Sequence, residues 1–403
     1  MRRRTRRTGP VATLLTALGL AAGLVAGPAS PAAAAVPPEG PAGDAFYTPP
    51  NPLPPGSPGD VIWKRTLSSD ATATTYLVLY RSVNATGAPV AVSGMVAVPR
   101  RANLATAPIV GAAPGTIGLG DQCAASRNTP IANLMSPVAD LLAKGFAVAT
   151  TDYEGLGTPG THTYTVGQSE GRAVLDVTRA AQRLGVGLSA TSPVGFIGYS
   201  QGGGGAAWAG QLAASYAPEL NVKGTAAGGI PADMVAVGQA LDGGLGFGFL
   251  AAAAVGFDGA YAELDLEKYL NAAGRQLFQD NINNCVDSII LDFGFHRISE
   301  YTTSNPMVTP AWQARLRENS LGAVAPSAPV YIWHGFFDEI LPYGQDAALW
   351  KTYCKKGAKV TFQGTWDEHV SGMIGAGRQG AVQFLADRFA GKPVTDNCWL
   401  SGA

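Results

Sequence analysis

The stretch Val194-Gly195-Phe196-Ile197-Gly198-Tyr199-Ser200-Gln201-Gly202 decides how this chain folds. A short apolar strand leads into Gly-x-Ser-x-Gly, and the small-residue run that follows, through about Tyr216, reads as a helix. A serine at such a junction sits on a strained turn, and glycines two residues to either side remove Cβ atoms that would strike neighbouring backbone. Its hydroxyl then stands exposed at the helix N-terminus. There the backbone N–H groups, that of Gln201 among them, point toward negative charge developing on an attacked carbonyl oxygen. The chain contains 52 glycines, so this pentapeptide can arise by chance and its surroundings must decide the matter.

Working outward, the sequence alternates strands with helices. Thr75 to Arg81 and Val90 to Val98, around the turn residues Asn84, Gly87 and Pro89, predict an antiparallel hairpin, with the Asn84 sequon read as a turn. Then come strand Ile109 to Ala112, helix Ile131 to Lys144, strand Ala147 to Thr151, helix Glu170 to Leu184 and strand Val194 to Ile197. After the Ser200 helix, a strand over Lys223 to Ala227 precedes a long stretch without strand rhythm. The alternation resumes with strand Val330 to Trp333, helix Gln345 to Lys355, strand Lys359 to Gln363 and helix Gln379 to Phe389. This predicts an α/β fold, a mostly parallel central sheet flanked by helices. Residues 59–232 and 313–403 form its core and 233–312 a helical cap inserted between them. Residues 36–58 are Pro-rich and read as an extended arm on the surface.

The first 35 residues read as a secretory signal peptide. Arg2, Arg3, Arg4, Arg6 and Arg7 precede an apolar run from Val11 to Ala26 and a small-residue exit at Ala33-Ala34-Ala35. The run is shorter than the roughly 18 residues a spanning helix needs, so cleavage near Ala35 and a mature start near Val36 are expected rather than a transmembrane anchor. Paired arginines suggest twin-arginine export, but Thr8-Gly9-Pro10 fits that signal poorly and the general secretory route is preferred. Without the leader, 23 basic residues face 29 acidic ones, with no block of like charge, which excludes nucleic acid as an expected partner.

A serine hydroxyl is a weak nucleophile at neutral pH, so Ser200 needs a general base and a carboxylate to orient it. In the α/β-hydrolase arrangement these follow in the order Ser, acid, His. Of four histidines, His162 precedes the serine, His296 lies in the helical insertion and His334 ends a strand, which leaves His369 as the base. Asp338, on the loop after strand Val330 to Trp333, is the preferred acid, with Glu339 and Asp367 as alternatives. The second oxyanion donor is expected from the Gly-rich loop Pro114 to Gly120, with Gly115 and Thr116 as the selected residues beside Gln201. No metal or organic cofactor is required.

Cys123, Cys285, Cys354 and Cys398 are an even set in an exported chain without C-x-x-C spacing, which favours two disulfides. Three pairings are open. Cys354 with Cys398 is attractive because it would tie the C-terminal tail to the helix carrying Cys354, and Cys123 with Cys285 then follows.

Together these residues resemble the secreted lipases of the yeast lipase A type and their actinobacterial relatives. The resemblance is carried by Tyr47-Thr48-Pro49-Pro50, Gly115-Thr116 through Gly120-Asp121-Gln122-Cys123-Ala124, Asp152 to Gly157, and Ser169-Glu170-Gly171-Arg172-Ala173. The Ser200 turn, His334-Gly335 with Asp338, and His369 complete it. It implies an α/β-hydrolase fold, a cap between nucleophile and acid, a Ser-Asp-His triad, and disulfides corresponding to Cys123 with Cys285 and Cys354 with Cys398. Two departures stand out: Gln201 follows the serine where the yeast type has glycine, and Gly115-Thr116 replaces a loop that carries an acidic residue there.

The insertion contains an apolar stretch from Gly243 to Phe257, too short to span a bilayer. It reads both as a buried cap helix and as the lining of an acyl-chain tunnel. Each buried CH₂ is worth about 0.8 kcal/mol, so a tunnel would favour fatty esters over acetate. The expected activity is therefore hydrolysis of fatty-acid esters through an acyl-enzyme on Ser200, with a lipid ester as partner and an oil-water interface as the place of work. The alternatives are an esterase for short-chain, bulky or polymeric esters, a peptidase, and a catalytically inactive lipid-binding protein.

Overall fold

The computed structural model describes residues 8–9, 36–281 and 283–402. Apart from Thr8 and Gly9, the leader read over residues 1–35 and its cleavage position lie outside the described residues.

Nine strands form one sheet: β1 Val61–Ser69, β2 Ala73–Val83, β3 Pro89–Pro99, β4 Ile109–Ala113, β5 Ala147–Thr151, β6 Val194–Tyr199, β7 Val222–Gly228, β8 Val330–Gly335 and β9 Val360–Thr365. Their order is β1-β2-β3-β5-β4-β6-β7-β8-β9. The first three strands are antiparallel and β3 meets β5 antiparallel; from β5 to β9 every pairing is parallel. Alternating side chains feed two cores. Phe196 and Ile332 pack on one face with the helices α3 Gly167–Gln182, α4 Gln201–Tyr216 and α11 Tyr343–Lys355. Ile197 and Trp333 pack on the other, with Leu141 and, from α13 Ala376–Phe389, Ala381 and Leu385.

Several elements differ from the sequence reading. Strand β1 goes unpredicted because its register shifts between Val61 and Trp63 and again between Thr66 and Ser68, which breaks the alternation on an edge strand. The single helix expected over residues 131–144 is two, α1 Thr129–Met135 and α2 Val138–Ala143. Pro137, which lacks an N–H, separates them. The Pro-rich arm is more than a surface strap: Phe46 is fully buried with Leu77 and Leu79, and the Tyr47 hydroxyl lies 3.0 Å from Ser126 Oγ.

Between β7 and β8 the chain is helical: α5 Met234–Leu241, α6 Phe247–Ala260, α7 Ala272–Asn281, α8 Val286–Phe293, α9 Ile298–Tyr301 and α10 Pro310–Glu318. The helical run thus passes the expected end at residue 312, because Trp312 and Leu316 of α10 pack into the same apolar cluster as Val237, Phe247 and Phe257. Two disulfides are present. Cys123–Cys285 ties the loop after β4 to the start of α8, and Cys354–Cys398 ties α11 to the C-terminal tail. The first is reinforced by backbone bonds from Leu119 N to Asn284 O and from Val286 N to Ile117 O.

Candidate active site

Ser200 sits between β6 and α4 with φ 59° and ψ −124°, a region a side chain rarely occupies. The glycines around it are a steric requirement. A Cβ on Gly198 would lie 2.0 Å from the Gly202 carbonyl oxygen, and one on Gly202 would lie 2.1 Å from that of Ala113. The strained residue is held by its N–H bonding the Gly228 carbonyl at 3.0 Å.

Three distant segments converge there. His369 Nε2 lies 3.0 Å from Ser200 Oγ, and its Nδ1 lies 2.7 Å from Asp338 Oδ2. Asp338 follows β8, and its Oδ1 accepts the backbone N–H groups of Ile340 and Leu341 at 3.0 and 2.7 Å. Burial pushes this carboxyl up, but hydrogen bonds from His334 and His369 outweigh it and hold Asp338 well below the usual carboxylate range. His369 lies not on a plain loop but at the first position of α12, His369–Ile374. Glu368 caps that helix by accepting Val370 N and Ser371 N, both at 2.8 Å. The alternative acids are placed elsewhere: Glu339 accepts the His369 backbone N–H at 3.2 Å, and Asp367 contributes its carbonyl to Phe337 N. The residues expected as nucleophile, base and base-orienting carboxylate are thus in hydrogen-bonded sequence.

The Gly115-Thr116 loop abuts this centre. A Cβ on Gly115 would lie 3.3 Å from the Tyr199 carbonyl, and the Tyr153 hydroxyl supports the loop through a 2.8 Å bond to Pro114 O. Among the described residues the backbone N–H groups of Gly115, Thr116 and Gln201 find no internal acceptor. Thr116 Oγ1 is 2.7 Å from the hydroxyl of Tyr164, which lines the Ser200 pocket. Sequence reasoning gave the Gln201 side chain no place; it is clamped by two buried groups. Its Nε2 donates to Glu170 Oε1 at 2.8 Å and lies 3.1 Å from His162 Nε2. Because His162 Nδ1 faces the Glu154 carbonyl at 3.0 Å, Nδ1 carries the proton and Nε2 accepts. Burial pushes His162 down to about 4 and Glu170 up to about 8. His162 was set aside as a base for its chain order, yet it positions the residue next to the nucleophile. Glu170 belongs to the Ser169-to-Ala173 motif noted above, to which no chemistry was assigned.

At Ser200 lies a pocket of about 360 Å³ lined also by Met234, Val237, Leu241, Phe249 and Ala253 of the helical segment between β7 and β8. Four of these, Met234, Val237, Leu241 and Ala253, also line a second cavity of about 720 Å³ inside the cap. That cavity is almost wholly apolar, bounded by Phe247, Leu250, Phe257, Leu270, Met307 and Trp312. Glycines bring α6 close to its neighbours: a Cβ on Gly248 would lie 2.0 Å from Ile289 O, and one on Gly256 2.5 Å from the Tyr164 backbone. Among the described residues there is no cluster of His, Cys, Asp and Glu suited to a metal ion, and no helix long and apolar enough to cross a membrane.

A serine on a strand-to-helix turn, with acid and histidine delivered from the C-terminal ends of later strands of a parallel sheet, defines the α/β-hydrolase class. The solved structure of Candida antarctica lipase A in its closed state superposes with a TM-score of 0.79 at 27% identity, covering 87% of both chains. A secreted triacylglycerol lipase of Malassezia furfur is 29% identical over 88% of this chain and 77% of its own length. A probable inactive lipase of Mycobacterium tuberculosis is 30% identical over 89% of this chain and 84% of its own. Residues 126–397 match the secretory lipase family, and the chain belongs to it. It is a secreted ester hydrolase of the lipase class.

Proposed function

We propose that the protein hydrolyses long-chain fatty-acid esters through an acyl-enzyme on Ser200, with the acyl chain lodged in the cap. The observation that carries this reading is the hydrogen-bonded run from Ser200 Oγ through His369 to Asp338 beneath a pocket that shares its walls with the apolar cap cavity. Ser200 attacks the ester carbonyl while His369 Nε2 takes its proton, and Asp338 holds the imidazole and stabilises its charged form. Backbone N–H groups of Gln201 and Thr116 receive the oxyanion, with Gly115 letting the loop approach. The protonated His369 then returns the proton to the departing alcohol. Water, activated by the same base, releases the fatty acid.

The relative named probable inactive makes the assembled Ser200, His369 and Asp338 the feature to test. The cap cavity favours fatty esters over short or bulky ones, since each CH₂ placed in it gains about 0.8 kcal/mol. The helical segment beginning at residue 233 acts as the cap. We further infer that cleavage near Ala35 yields the working protein and that it engages an oil-water interface. Phe337, Trp366 and Val370, at 64%, 77% and 56% exposure, lie within three residues of Asp338 or His369 and support the latter inference.

The test is hydrolysis of p-nitrophenyl esters from acetate to palmitate, and of emulsified triglyceride, by wild type and Ser200→Ala. Rates rising with chain length and lost in the variant support the reading. Activity confined to short esters would replace the lipase with an esterase, and coincident wild-type and variant rates would exclude Ser200.

A further inference from the structure

His334 is fully buried near the end of β8, and the mechanism above does not use it. Its two ring nitrogens meet only acceptors. Nδ1 lies 2.8 Å from Asp346 Oδ2, held as an ion pair because the angle is poor for a hydrogen bond. Nε2 lies 3.1 Å from the Leu341 carbonyl and 3.2 Å from Asp338 Oδ2, the oxygen that His369 Nδ1 also approaches. Burial pushes the Asp346 carboxyl up and the neighbouring His334 counters that; opposite an ionised Asp346, a neutral imidazole would turn a lone pair toward one of these oxygens, with no donor to receive it. Only the doubly protonated ring satisfies both sides. Burial disfavours that cation, but Asp346 and Asp338 outweigh it and carry His334 up to about 10.

The clamp extends to the substrate pocket. Leu341 gives its N–H to Asp338 Oδ1 and its carbonyl to His334, and both Ile340 and Leu341 line the pocket over Ser200. Asp346, in the first turn of α11, also accepts the Ile230 N–H at 3.0 Å. The next residue, Pro231, lines the same pocket. We propose that His334 and Asp346 are a positioning pair behind the triad: a buried imidazolium, anchored by Asp346, that fixes the Asp338 carboxylate for His369 and tempers the negative charge His369 faces. This rests on the hydrolytic reading of Ser200, Asp338 and His369.

The remaining groups around the two rings are few. Tyr343 stacks edge-on to His334 at 5.7 Å, and Thr365 Oγ1 reaches its backbone carbonyl. His369 faces the Tyr199 ring at 5.3 Å, with Glu339 at its backbone N–H and Glu368 preceding it. With His334 positive, the imidazolium that His369 forms has a like charge across a shared oxygen.

The test uses His334→Gln and the double variant His334→Gln with Asp346→Asn, which removes both buried charges together and avoids stranding one. Each folded variant is expected to show kcat lowered about tenfold or more with KM little changed, since the pair orients the triad rather than binding substrate. A folded double variant whose kcat stays at the wild-type value overturns the proposal. Wild-type protein with ¹⁵N-labelled histidine supplies a readout independent of variant folding and of catalysis. His334, recognised through its contact with Tyr343, should keep both ring nitrogens protonated at pH 8. A neutral His334 there refutes the pair, whereas failure of the hydrolytic reading itself would show only as retained activity in Ser200→Ala.

Discussion

Ala253 lines both the Ser200 pocket and the apolar cavity beyond it and is half-buried there, so on the proposed reading, in which the acyl chain runs from one to the other, Ala253→Phe should block its path without displacing the triad. A saturated acyl chain transferred from water gains about 0.8 kcal/mol per CH₂, or roughly fourfold in kcat/KM for each methylene housed in the transition state. Wild type should therefore show log kcat/KM climbing with acyl length until the cavity is filled. In the variant the climb should stop at the short esters that fit the pocket of about 360 Å³ over Ser200. The loss then grows with chain length: little for acetate or butyrate, and two orders of magnitude or more once about four methylenes are excluded. The assay is initial rate on soluble p-nitrophenyl esters, with unchanged acetate turnover as the control that Ser200 is intact. If the folded variant keeps the wild-type slope through palmitate, the acyl chain does not enter the cap cavity.

Other outcomes follow from the same geometry. Gly202→Ala places a methyl 2.1 Å from the Ala113 carbonyl, against backbone that cannot yield cheaply, and should cost about 1–3 kcal/mol in denaturant unfolding while lowering turnover. His162 is held down to about 4 by burial while the unfolded ring titrates near 6.5, so the unfolded state binds more protons between those values. Stability should fall by a few kcal/mol, on the order of 1.4 per pH unit, as pH drops through that window, and His162→Asn should flatten this limb. Glu170 has the opposite sign. Burial lifts it to about 8, the folded state keeps the proton longer, and stability should fall as pH rises from about 4.5 to 8, a slope Glu170→Gln should remove. Opening Cys354–Cys398, whose partners are 44 residues apart, should cost about 4 kcal/mol on the chain-entropy account, measured with Cys354→Ser/Cys398→Ser.

The parallel core was legible because its strands are short apolar runs that alternate with longer stretches of helix-forming residues. Strand β6 and α4 are local features of one stretch of chain. The candidate base was reached by elimination, since four histidines and a required order leave little choice. The His334–Asp346 pair was not legible, because Asp346 lies on α11 and reaches His334 only when that helix packs on β8. Nor was the clamp on Gln201, assembled from residues 162, 170 and 201.

The sequence by itself determined the strand-turn-helix at Ser200, the α/β alternation and the candidate nucleophile, base and acid, because steric need for glycine, hydrophobic period and chain order are local properties. Only the tertiary structure decided that Asp338 rather than Glu339 or Asp367 faces His369, that Cys123 meets Cys285, and that the helical segment between β7 and β8 holds an apolar cavity sharing wall residues with the pocket at Ser200. Each depends on distances between segments far apart in the chain, set by how the sheet, its helices and the cap pack together.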